Sequence, residues 1–300
     1  MKYFKKYSKK VETKNRSSGV KFSFARFLAK TLVSVFLIFI IFPLLWMFSL
    51  SLKEPQHVRD AYAFIIPKVI KFDNYQRAID WANKQVRIPL PVMYKNSIIV
   101  TFSSVIITII IALLASYAFS RLKFRGRNTI YFIILIGMMI PVQGLLIPIF
   151  LINKNIGLLN NYFSLILPYI AFGLPLSIFI MRGFFTQIPQ EIVESAKIDG
   201  ATDFVVFSKI MVPLAKPAIA TCVILLFLQN WNEFILALTL LINPNLYTIT
   251  VGLSKLSGQY TFPWEIYSSL VWLTAIPIII VFIIFQNWFI KGLTAGSIKG

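Results

Sequence analysis

The sequence has little of what soluble enzymes use. It contains one cysteine, Cys222, and one histidine, His57. No internal disulfide can form, so cysteine usage identifies no redox compartment. A His/Cys metal cluster is excluded for the same reason. Acidic residues are scarce, with 11 against 30 Lys and Arg, and 14% of the chain is charged. Soluble domains carry about a quarter. No GxxxxGK[ST] loop is present, so any ATP hydrolysis falls to another subunit. The apolar stretches hold a single acid, Glu233, and no histidine. A membrane-embedded enzyme would need a nucleophile with its base, a metal cluster or paired carboxylates there.

What is present is oil. The chain is 57% hydrophobic and 15% aromatic, with a mean hydropathy of +0.75. The net charge of +19 would suggest nucleic acid in a soluble protein. Here most basic residues flank apolar runs, so membrane lipid, and not nucleic acid, is the expected partner. A helix needs about 20 apolar residues to cross the roughly 30 Å hydrocarbon layer. No charge interrupts Lys30 to Lys53, Lys95 to Arg121, Arg127 to Lys154, Lys154 to Arg182, or Glu265 to Lys291. A sixth run from Pro217 to Leu241 carries only Glu233. The expected fold is therefore an all-α integral membrane protein with six transmembrane helices.

The expected layout begins with a basic arm over 1–26 and a first transmembrane helix over 27–50. An external loop over 51–96 follows. A membrane core over 94–290 then has helices near 97–119, 129–152, 163–182, 217–241 and 267–290, with a tail over 291–300. Some thirty residues, many polar, precede the first apolar run, which favours an uncleaved anchor over a signal peptide. The first thirty residues carry ten Lys or Arg, and the linker "SRLKFRGRN" carries four. Both are expected to be cytoplasmic, and an even number of spans returns the C-terminus to the same side. The loop from Ser51 to Asn96 pulls the other way, with eight basic and four acidic residues.

Helix breakers punctuate several spans: Gly137, Pro141, Gly144 and Pro148 in the third, Pro168, Gly173 and Pro175 in the fourth, and Pro277 in the sixth. Each either marks a water-lined or protein-covered break or is a plain kink in a packed bundle.

The most polar stretch of the second half is "EIVESAKIDGATDFVVFSKIMVPLAKP", Glu191 to Pro217. Pro189 suits the first turn of a short helix, and Glu191 and Glu194 suit its positive end. Asp199-Gly200 reads as a turn, with Gly free to take positive φ. Thr202 or Asp203 can cap a second helix, which Pro213 and Pro217 end. Ile192, Val193 and Ala196 share one face by helical spacing. The helix lacks the basic polar face of a membrane-surface helix, so a cytoplasmic protein cleft fits it better.

These residues resemble the EAA loop of ABC importer permeases, in which Glu-Ala-Ala, Gly and Ile-x-Leu-Pro stand at fixed spacing. The matching positions are Glu194-Ser195-Ala196, Gly200 and Ile210 to Pro213, with Ser195 and Val212 as conservative departures. "SYAFSRLKFRGRN", "IPVQGLLIPIF", "NWNEFILAL" and "NWFIKGLTAGSIKG" are similar to the G-type permease of maltose-like carbohydrate importers. The resemblance implies a type I ABC importer permease fold. It also implies a second, F-type permease, a cytoplasmic ABC ATPase dimer and an extracytoplasmic sugar-binding protein as partners. ATP and magnesium would be used by the ATPase, with no cofactor bound by this chain. Within the loop at 185–216, Glu191, Glu194, Ser195, Ala196, Asp199, Gly200, Ile210 and Pro213 would form the ATPase coupling site. A permease for another solute, such as glycerol phosphate esters, is the alternative.

Candidate solute contacts are polar residues within spans. Gln229, Asn232 and Glu233 share a helical face, Asn230 and Trp231 adjoin it, and Gln143 lies in the third span. Amides, a carboxylate and an indole suit sugar hydroxyls and ring faces. The same groups equally suit bonds to neighbouring helices. By the resemblance, the loop from Ile242 to Trp264 reaches toward the cleft of the binding protein.

Overall fold

The computed structural model describes the backbone of residues 2–58, 67, 69–86, 88–256 and 263–297, and side chains within 24–289. The C-terminal tail and all of the expected basic arm but Phe24 and Arg26 lie outside the described side chains. Helices account for nearly all of the described backbone, and it contains no strand. Among the described residues four helices are long and apolar enough to cross a membrane, or up to six if each of two bent pairs counts as one span.

The chain divides into two compact units, 1–75 with 263–272, and 76–262 with 273–300. In the first, α1 (Lys2–Ser51) is a continuous helix through Pro43, with no boundary where the arm was expected to meet the span. Its apolar side chains between Phe27 and Leu45 are exposed. Beyond α1, Asn74 donates to the carbonyls of Ser51 and Lys53 at 3.0 and 2.7 Å. Glu54 pairs with Lys71 at 3.1 Å, and that hydrogen bond holds its carboxyl below the usual carboxylate range.

The second unit opens with α2 (Asp73–Val86), most of which lies in it, and α3 (Leu90–Arg121). Its third apolar run does not form the single helix expected over 129–152. Instead α4 (Arg127–Ile136) and α5 (Leu146–Asn155) meet through short 3-10 turns. Their two arms bend by 93°. Pro141 sits at the corner: its ring disfavours helical geometry at the preceding residue, and Ile140 is extended at φ −83°, ψ 116°. Pro148 falls in the first turn of α5, where a missing N–H breaks no bond.

The prolines of α6 (Phe163–Gln187) behave differently, since Pro168 and Pro175 lie within an unbroken helix. α6 is packed along its length, with buried residues from Ser164 to Phe185. α4 buries only Tyr131. Packing holds a proline-containing helix together where an exposed one turns.

After α7 (Gln190–Ile198) comes α8 (Asp203–Leu214), whose Val206–Met211 stretch is π-helical. α8 meets α9 (Lys216–Trp231) at a 71° bend. The fifth span, expected to be continuous over 217–241, stops at Trp231 and resumes as α10 (Ile235–Leu240). The short helix α11 (Ile249–Leu256) and α12 (Trp264–Ser297) complete the described elements.

α3, α6 and α9 form the core of this unit. Gly173 makes their crossing possible. A Cβ there would lie 2.6 Å from Leu226 Cδ2 and 3.3 Å from Thr108 Cγ2. Without a side chain, the α6 backbone approaches both neighbours closely, the general use of small residues between membrane helices. Cys222 is buried beside this crossing in α9.

Candidate functional site

Two regions of the second unit carry the polar residues, one at each end of α3.

At the Arg121 end, α7 and α8 form a hairpin. Pro189 stands at its N-cap position, one residue before the turn it was expected to join. Gly200 has φ +83°, the left-handed conformation that L side chains disfavour. The Asp199, Gly200 and Ala201 amides donate back to Ser195, Lys197 and Ala196, closing the C-terminus of α7. Thr202 caps α8, its hydroxyl accepting from Val205 N at 3.4 Å. Lys197 crosses the turn to Asp203 at 2.8 Å, and that hydrogen bond raises the ammonium's pKa.

The expected apolar face of α7 divides. Val193 is buried and Ala196 half-buried, whereas Ile192 is exposed. Ile198 and Phe204 are 86% and 72% exposed. Glu191, Glu194, Ser195, Asp199, Gly200 and Pro213 are exposed beside them, and Ile210 is half-buried in the π-helical stretch. Ile198 and Phe204 thus flank the polar turn as large exposed apolar side chains. Sequence spacing missed Ile198 and Phe204, which sit at helix ends where periodicity is uninformative.

At the opposite end, the six candidate solute residues separate into two sets. Asn230 is buried and donates to Ser104 Oγ at 3.0 Å. Trp231 is buried, donates to the Thr274 carbonyl at 3.1 Å and stacks on Phe227 with centroids 5.5 Å apart. Glu233 lies in the gap between α9 and α10. Its carboxylate accepts from Leu236 N at 2.8 Å, Ala237 N at 3.1 Å and Tyr169 Oη at 2.7 Å. It is therefore the cap that starts α10, while Asn232 donates to Leu228 O at the end of α9. A backbone break within a span is tolerated when its groups find such partners. Gln143, Gln229 and Asn232 are exposed. The helical face expected to align Gln229, Asn232 and Glu233 is not formed as such, because α9 ends before Asn232.

The loop after α10 is tied down. Asn160, at φ 58°, accepts from the Ile242 and Asn243 amides at 2.6 and 2.7 Å. Asn96 donates to the Asn245 and Tyr247 carbonyls, and Ser97 Oγ accepts from Ile249 N at 2.8 Å. α11 thus packs on α3, with Ile249, Val251 and Leu256 buried. The portion expected to reach a binding protein includes residues 257–262, outside the described residues.

Among the described residues no group of three His, Cys, Asp or Glu could hold a metal ion.

This arrangement of helices matches that of a bacterial ABC transporter involved in the import of the acidic polysaccharide alginate. The TM-score is 0.74 at 27% identity, over 87% of this chain and 95% of that one. In sequence the chain is 36% identical over 263 residues to the trehalose transport system permease protein SugB of Mycobacterium tuberculosis, covering 86% of this chain and 92% of that protein. It is 35% identical to the sulfoquinovosyl glycerol transport system permease protein SmoH of Agrobacterium fabrum, covering 92% and 93%. Residues 104–295 match the family model of binding-protein-dependent transport system inner membrane components. With helices fit to cross a membrane, a matching bundle and a family match over most of its length, this multi-pass membrane protein belongs to the family of binding-protein-dependent transport system inner membrane components.

Proposed function

We propose that the chain is one permease half of an ATP-driven carbohydrate importer. A second, F-type permease completes the translocation pathway, and an extracytoplasmic sugar-binding protein delivers solute. The termini and the α7–α8 hairpin are cytoplasmic, as the Lys and Arg of 1–30 and of the α3–α4 linker favour. The chain itself binds no cofactor. A separate ABC ATPase dimer uses ATP and magnesium and seats the hairpin in its groove.

The exposed pair Ile198 and Phe204 carries this reading. They flank a turn whose acidic and small residues fit a protein cleft better than a lipid surface. Carbohydrate is favoured because two relatives and the solved transporter are named for sugars or glycosides. Gln143, Gln229 and Asn232 are the candidate solute contacts, since these residues are exposed, whereas Asn230 and Trp231 are buried and Glu233 is held by Tyr169 and two backbone amides.

The test has two arms. Growth of a deletion strain on single carbon sources should fail on one sugar or glycoside, and failure only on glycerol phosphate esters would overturn the substrate class. Co-purification of the ATPase should be lost with Phe204→Ser and Ile198→Ser while the permease still inserts. Retention with both would refute the coupling role.

A further inference from the structure

The hairpin is continuous in the chain with α6 before it and α9 after it, yet its firmest polar grip comes from α3. Arg121 lies in the last turn of α3 and reaches the start of the hairpin with a guanidinium fork. Its Nη1 donates to Gln190 Oε1 at 2.7 Å, and its Nη2 donates to the Phe185 and Ile188 carbonyls at 2.6 Å each. These carbonyls close α6, where backbone acceptors have no partner inside the helix. One turn earlier on the same face, Tyr117 reaches the second arm of the hairpin. Its hydroxyl donates to Asp203 Oδ1 at 3.4 Å, and its ring meets Phe207 edge-on with centroids 5.3 Å apart. Asp203 Oδ1 also receives Lys197, so the clamp reaches α7 from both directions. At its other end α3 holds the loop after the broken fifth span through Asn96 and Ser97.

Resting on the coupling role proposed above, we infer that α3, with Arg121 and Tyr117 as positioning residues, is the element that receives the motion of the hairpin. The hairpin and the Arg121 end of α3 move as one body. A displacement imposed on α7 then passes along α3 from Arg121 to Asn96 and the loop it holds, a distance of about 38 Å. A planar fork suits this task because it can hold several acceptors in fixed geometry, whereas an ammonium is a point charge on a flexible stem.

The experiment uses the complete importer in lipid nanodiscs, with spin labels on Lys123→Cys and Lys209→Cys in a Cys222→Ser background. The label separation is measured without nucleotide and after trapping with ATP and vanadate. A narrow distance distribution, unchanged by nucleotide, is expected. Arg121→Ala should widen it about twofold or more and make it nucleotide-dependent, since several charge-assisted hydrogen bonds are lost. Arg121→Lys should fall between. A merely structural arginine would alter yield without this nucleotide dependence. A separation that changes with nucleotide before any substitution at Arg121, or one unaffected by Arg121→Ala, would overturn the inference. Failure of the coupling role is read separately, as ATPase co-purification that survives Phe204→Ser, while the label separation remains measurable on the permease pair alone.

Discussion

The hydroxyl of Tyr169 donates to Glu233 at 2.7 Å, joining the first third of α6 to the gap in the fifth span. The lone acid of the apolar runs is thereby placed among three donors. An ionisable group at membrane depth needs such partners to be tolerated.

Removing the carboxylate should therefore act on stability first. Glu233→Ala leaves two backbone amides and the Tyr169 hydroxyl without their acceptor, at a cost of about 1–3 kcal/mol. The permease should still assemble, with a lower unfolding temperature in detergent and reduced uptake. Glu233→Gln, which keeps one amide oxygen as acceptor, should recover part of the stability. Unchanged thermal unfolding of Glu233→Ala would show that the cap is dispensable.

Gly173 gives a second, independent check on the core. Gly173→Leu forces a side chain into Leu226 and Thr108, and overpacking of this kind costs about 1–3 kcal/mol or more. Permease yield and unfolding temperature should fall, and Leu226→Ala in the same chain should restore part of the loss. Absence of any rescue would count against the close crossing of α6 and α9.

At Gly200 the space beside the backbone is open, so only conformation resists substitution. Gly200→Val should strain the left-handed turn by roughly 1–2 kcal/mol, and ATPase co-purification should weaken while insertion continues. Gly200→Asn, a residue that tolerates this conformation, should remain close to the unsubstituted permease. Equal loss with both would point to steric contact with the partner instead of backbone strain.

Topology can be read at Asp73, which is exposed at the start of α2. Asp73→Cys should react with a membrane-impermeant thiol reagent in intact cells, with Cys222 shielded by burial. Labelling only after lysis would reverse the proposed orientation.

Charge-free runs announced the spans because each charge in lipid is costly, and the hairpin was legible because Pro189, Gly200 and Thr202 have local roles. The breaks were harder to read. Pro141 turns a helix and Pro168 does not, although both are prolines in apolar runs, because the outcome depends on what packs around them. The gap at 232–234 was hidden because it is made by side chains, Glu233 and Asn232, that resemble helix-face residues in sequence. Ile192 and Val193 are adjacent apolar residues with opposite exposure, which only the register of α7 against its neighbours decides.

The corner at Pro141 has a consequence for the surrounding bilayer. Each arm of the bent pair is too short to cross the hydrocarbon layer alone, and backbone groups near Ile140 leave the helical ladder there. Acyl chains offer such groups no hydrogen bond. Where the two arms together make one span, annular lipid is kept away from this corner, and exposed Gln143 beside it borders water or a second polypeptide.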